Sequence, residues 1–321
     1  MRATFLVVLA ALSTSPAPGA DLELQAKISL AGGRGRIDHM AFDPVSRRLF
    51  VAELGNDSVA IVDVDHHRLE RRLAGLSEPQ GIAYYAPLRR LYVTEGGEGT
   101  VRAYDARDYR ELQRIKLGGD ADNIRVDLRA QRLYVGYGDG ALAALKPDSL
   151  AVIGDFRLKA HPESFQLSAS DGRIYVNVPG MHDIAVVDPA AGNQVSSFET
   201  KWGGNYPMAV DEESRTLLTV FRKPPRIARY SSKDGSILRD VATCADADDV
   251  FMDAKRQRLY VVCGQGVIDI FEPATLKLIE RLATSPGART GLYSSEADLL
   301  FIAVPARTGH DAAIWVWSPS P

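Results

Sequence analysis

Only 2 cysteines occur in 321 residues, so no disulfide framework stands in for a hydrophobic core. An excess of charge of one sign is also missing. The 38 basic and 41 acidic residues argue against a protein built to coat nucleic acid or an anionic membrane. Beyond residue 12 no run is long and apolar enough to anchor the chain in a bilayer. With 27 Gly and 17 Pro the chain is far from collagen-like, and 45% hydrophobic residues exclude a disordered one. A globular chain remains. Its length suggests about two domains of ~150 residues, unless it closes into one large β architecture.

The N-terminus reads as a targeting segment. Arg2 precedes the apolar residues 5–12, and small and turn residues fill 13–20. A basic start, a short apolar core and a small-residue exit make a secretory signal peptide over residues 1–20, with cleavage after Ala20 or Ala17. Loss of Arg2 leaves 37 basic against 41 acidic residues, a net charge of −4. The mature chain, residues 21–321, is expected to be one exported domain, periplasmic or secreted, with no membrane span.

That domain is built from one motif used seven times. Arg48-Leu49-Phe50-Val51 recurs as Arg90-Leu91-Tyr92-Val93, Arg132-Leu133-Tyr134-Val135, Arg173-Ile174-Tyr175-Val176 and Arg258-Leu259-Tyr260-Val261. Degenerate copies are Thr216-Leu217-Leu218-Thr219 and Leu299-Leu300-Phe301-Ile302. Their third positions, 50, 92, 134, 175, 218, 260 and 301, are spaced by 42, 42, 41, 43, 42 and 41 residues. A polar or Asp-containing turn precedes each copy, and a Gly-rich turn with two alternating segments follows most of them. Period-two alternation in short β-branched and aromatic runs means antiparallel strands. Four strands per ~42 residues is a propeller blade. The seventh copy ends after its third strand, near residues 314–317, and residues 24–30 supply a spare strand. The expected fold is therefore all-β, a seven-bladed β-propeller closed by its N-terminal strand.

The repeated Arg-Leu-Tyr-Val cores with Gly-rich turns resemble the YVTN, or YncE-like, seven-bladed propellers of bacteria over roughly residues 22–321. The resemblance implies an exported binding protein more than any one chemistry. WD-repeat signatures, Cys-x-x-Cys-His haem sites and the tryptophan-docking repeats of quinoprotein dehydrogenases are absent, so no haem, nucleotide or quinone is expected.

Propeller ligands commonly sit where the axial channel opens, at the loops entering the innermost strands, and the repeat indexes those loops. Twelve residues before each third position stand Asp38, Gln80, Asp122, Glu163, Tyr206, Asp248 and Arg289. One residue later stand His39, Gly81, Asn123, Ser164, Pro207, Asp249 and Thr290. Around a narrow funnel four carboxylates of the first column repel, which raises their pKa values unless a cation or Arg289 compensates. Asp122, Asn123, Glu163 and Asp248 are the candidate ligands of one divalent cation. Oxygen donors suit Ca²⁺ or Mg²⁺, and His39 widens the choice to Zn²⁺ or Mn²⁺. The turns after the second strands are expected on the same face, bringing Glu53, Glu95, Tyr137, Asn177, Arg222, Lys223 and Arg307 to the rim, with His161 and Asn205 nearby. Arg222 and Arg289 together could clamp an anionic ligand.

Cys244 and Cys263 fall in turns of blade six that face this mouth. They form either a disulfide, favoured by export, or two partly buried thiols. Two functions fit. The first is a binding propeller for a small polar or anionic ligand, a metal ion or another exported protein. The second is a metal-dependent hydrolase analogous to six-bladed lactonases, with His39 or Asp38 as general base. An acidic mouth and a net charge of −4 leave no nucleic-acid partner expected.

Overall fold

The computed structural model describes residues 21–320, so the leader expected over residues 1–20 lies outside the described residues. Seven four-stranded antiparallel sheets form seven blades in a ring. Six of them use four consecutive strands, innermost first. The innermost strands are Met40–Asp43, Pro79–Tyr85, Ala121–Asp127, Phe165–Leu167, Gly203–Asp211, Ala247–Asp253 and Thr290–Ser294 in blades one to seven. Blade seven takes its outermost strand, Leu22–Ser29, from the N-terminus, paired antiparallel with Ala313–Pro319. That strand begins two residues earlier than the hydrophobic pattern suggests. Among the described residues no helix is long and apolar enough to cross a membrane.

The motif has a packing meaning. Side chains along a strand alternate between sheet faces. In blade two Leu91 and Val93 enter the apolar cluster shared with blade one, whereas Tyr92 enters the cluster shared with blade three. Leu133 and Val135 against Tyr134, and Leu259 and Val261 against Tyr260, divide in the same way. Seven such clusters fill the seven interfaces. The one between blades seven and one joins Ile28 and Ile314 to Met40, Leu49 and Val51, which closes the ring.

The leading arginine of the motif fastens the start of its strand to its own blade or to the next one. Arg48 pairs with Asp63 at 3.1 Å, Arg90 donates to Pro147 O at 3.0 Å, and Arg258 meets Asp21 at 3.0 Å. One residue ahead of it the backbone turns left-handed in every blade, at Arg47, Arg89, Gln131, Gly172, Arg215, Gln257 and Asp298. Only blade four uses glycine there, so six side chains are held in a conformation that L-residues disfavour.

Candidate functional site: the bulged mouth of the channel

In six blades the innermost strand holds one extra residue at the same place. Asp38 donates its N–H to Ala52 O at 2.8 Å while Ala52 N–H returns to His39 O at 3.0 Å, so two residues oppose one. Glu163 and Ser164 bracket Asn177 likewise, at 2.9 and 3.0 Å. In blades two, three, five and six the register slips between Pro79 and Ile82, Ala121 and Ile124, Asn205 and Met208, and Ala247 and Asp249. A β-bulge bends the strand and re-aims its side chains. The bulged pairs are Asp38–His39, Gln80–Gly81, Asp122–Asn123, Glu163–Ser164, Tyr206–Pro207 and Asp248–Asp249, which are the two columns indexed by the repeat. Blade seven has no extra residue: Thr290 pairs directly with Ala303, and Arg289 stands just ahead of the strand.

These residues meet across the axis. His39 Nε2 of blade one lies 3.8 Å from Asp38 and 3.9 Å from Asp122 of blade three. His161 Nδ1 is 2.6 Å from Gly138 O and donates to it, while Nε2 faces Asp120 at 3.8 Å and Asp122 at 3.9 Å. Gln80 donates to Asp120 Oδ1 at 2.9 Å. Arg36 pairs with Asp38 Oδ2 at 2.8 Å. Arg289 spans Asp248 at 2.9 Å and Asp246 at 3.1 Å. Arg222 pairs with Asp248, donates to Ala247 O at 2.8 Å, and rests 4.1 Å from the centre of the Tyr206 ring.

The expected anion clamp is therefore already filled. Arg222 and Arg289 grip the protein's own Asp248, because blade six places that carboxylate between them. Asp248 is then not free to join a metal shell with Asp122, Asn123 and Glu163. Among the described residues no group of three or more His, Cys, Asp or Glu side chains is arranged to hold a metal ion. The mouth is also not simply acidic. Asp38, Asp120, Asp122, Glu163, Asp246, Asp248 and Asp249 face Arg36, Arg125, Arg222, Arg289, His39 and His161.

The environment sorts the carboxyls into two kinds. Burial, reinforced by Asp122 and Asp248, pushes Asp38 up to about 7 against the pull of Arg36 and Arg289. Burial and Asp122 likewise raise Glu163 to about 7. Asp249 reaches about 7, burial outweighing His39 and the Gly291 N–H, which donates to Oδ2 at 2.8 Å. Asp122 goes the other way: although burial opposes its charge, His161 and His39 hold it below the ordinary carboxylate range. The same contact raises His161 to about 9, so it is cationic at neutral pH.

Several residues expected at the rim serve their own blades instead. Glu53 is bound by Arg72 at 2.7 Å and Glu95 by Arg102 at 2.8 Å, and Tyr137 donates to Asp155 at 2.8 Å. Asn177 of blade four donates to Tyr206 O at 3.0 Å, and Asn205 of blade five bonds Asn177 and the Asp183 carbonyl, so this pair ties blade four to blade five. Arg307 forms a turn with His310, beside a separate cavity containing Lys27 and Trp315. Cys244 and Cys263 are disulfide-bonded, with Cα atoms 5.9 Å apart, which staples the entry loop of blade six to its second strand.

Four mouth residues were not singled out from the sequence: Arg36, Asp120, Asp246 and Arg125. The first three are findable by the same registration, two residues ahead of the first column. Arg125 stands nine before its third position, where the other blades carry Ala41, Ala83, Gln166, Ala209, Phe251 and Leu292. It is the only charged residue of that column. No protein-family model matches the chain, and no curated protein matches it.

Proposed function

We propose that the chain is an exported binding propeller of the YncE-like kind, holding a small polar ligand at the bulged mouth of its channel. The repeated bulge carries this reading. A purely structural repeat would keep one residue type at that point, whereas here the position runs Asp, Gln, Asp, Glu, Tyr, Asp and Arg around the ring. Glu163 is the most telling of them: among the described residues its carboxyl has no salt-bridge or hydrogen-bond partner, yet it is held half-buried among charged neighbours. The lactonase-like alternative needs a divalent ion at the same mouth, so one set of measurements bears on both.

The test is a thermal-shift panel on the expressed protein and its Glu163→Gln variant. It covers amino acids, polyamines, dicarboxylates and the chlorides of Ca²⁺, Mg²⁺, Zn²⁺ and Mn²⁺, with and without EDTA. A rise in Tm in the wild type that Glu163→Gln at least halves supports binding at the mouth. If that rise comes from a divalent ion alone, the hydrolase reading gains. Equal shifts in both proteins, or none across the panel, overturn the proposal.

A further inference from the structure

Resting on the binding reading above, we propose that the ligand is a basic amino acid, with its cationic groups on the unpaired carboxyls of the mouth and its carboxylate on Arg125.

The first argument is an imbalance of partners. Asn123 is 2% exposed, and its Oδ1 meets no donor. A buried amide oxygen left unpaired is costly and marks a missing partner. Glu163, on the next blade, is unpaired as well. Asp249 receives one hydrogen bond, from Gly291. These acceptors call for a donor-rich, cationic group.

The second argument is independent of the acids. Arg125 carries five N–H donors, and among the described residues its side-chain hydrogen bonding is limited to the carbonyl of its neighbour Ile124, at 2.9 Å. Its guanidinium lies 5.6 Å from the ring centre of Phe165, two residues beyond Glu163. Protein encloses it closely enough that burial pulls its pKa down, with Asp249 and Asp122 pulling the other way. Among the described residues no carboxylate forms a salt bridge with it, unlike Arg36, Arg222 and Arg289. A planar fork with free donors, enclosed beside Phe165, suits a carboxylate.

Charge decides between a neutral and a basic amino acid. Asp38, Glu163 and Asp249, held up to about 7, are drawn to their charged forms by a cation bound beside them, and the seven ionised carboxylates then outnumber the four arginines and the protonated His161 by two. A zwitterion of net zero charge leaves that excess standing, whereas lysine or arginine reduces it.

The experiment compares L-arginine with agmatine, the same molecule without its carboxylate, by isothermal titration calorimetry at pH 7. The expressed protein, Arg125→Gln and Glu163→Gln are each titrated, and near-UV circular dichroism checks the fold of the variants. L-arginine should bind the wild type about 10- to 100-fold more tightly than agmatine. Arg125→Gln should bring the two ligands to within about threefold, and Glu163→Gln should weaken both. Equal affinity of the two ligands for the wild type refutes the role of Arg125 but leaves a cation-binding mouth. Absence of heat with either ligand, alongside a Glu163-dependent shift from another panel member, refutes the amino-acid assignment while the binding function stands. No response from any ligand removes both.

Discussion

Replacing Asp249 by asparagine should stabilise the protein by an amount that grows as pH rises above about 4 and is complete above about 7. The folded chain holds this carboxyl up to about 7, against an ordinary value of 3.8. Between those values the folded state keeps a proton that the unfolded chain releases, so stability falls as pH rises from about 4 to about 7. Three pH units of difference amount to about 4 kcal/mol, fully expressed above pH 7 and absent below pH 4. Asparagine cannot ionise, and its Oδ1 can still accept the Gly291 N–H that Asp249 accepts at 2.8 Å. The 300 described residues carry an unfolding entropy of roughly 0.6 kcal/mol/K, so the ceiling on the gain at pH 8 is about 6 °C in Tm. Differential scanning calorimetry of both proteins from pH 4 to 8 measures it. Parallel Tm curves for the two proteins, or a variant less stable at pH 8, would show that Asp249 is an ordinary ionised carboxylate and refute the reasoning. A confirmed gain would mean that the native residue is kept at the expense of stability, as binding residues often are.

Two further outcomes test the frame that carries the mouth. Gln131 and Gly172 occupy the same left-handed position in successive blades, at φ 54° and 72°. Gln131→Gly should gain about 0.5–1 kcal/mol in a urea melt, left-handed strain relieved less the added freedom of the unfolded chain. Gly172→Ala should lose about 1 kcal/mol, because an added Cβ there meets nothing within 4 Å and only the backbone conformation is penalised. Changes of the same sign would contradict the assignment. At the closure, Ile28 is 0% exposed between blades seven and one, so Ile28→Ala should cost about 2–4 kcal/mol. Val45→Ala, at an 89% exposed turn, should change stability by less than about 0.5 kcal/mol. Similar losses in the two would mean that the N-terminal strand does not seal the ring.

Architecture was legible because it is repeated. One Leu-Tyr-Val triplet serves two interfaces, so the same packing problem is solved seven times and the solutions can be aligned. The mouth was half legible for the same reason. Registration located Asp38, Asp122, Glu163 and Asp248, because the bulge falls at a fixed distance from the motif. Registration says where a residue starts but not what reaches it. The grip of Arg222 and Arg289 on Asp248 depends on how far two long side chains extend across blades, and spacing carries no trace of that. Glu53 and Glu95 misled because their partners, Arg72 and Arg102, lie on strands further out in their own blades. Arg125 was visible as an exception, the one charge in a column of alanines, apolar residues and Gln166, but that column lies within the innermost strand, beyond the entry loop.

The closing strand has a consequence in time. Of the described strands Leu22–Ser29 comes first in the chain and pairs with Ala313–Pro319, which comes last, and Ser320 N–H even bonds back to Asp21 O at 2.9 Å. Every other pairing joins neighbours in the chain, so blades one to six can assemble progressively while this one waits for the whole length. During synthesis this strand emerges with no partner until the residues of its mate follow. The ring thus acts as a completion check. A truncated or stalled chain keeps an unpaired edge, and only a finished one presents a mouth with all seven blades in place.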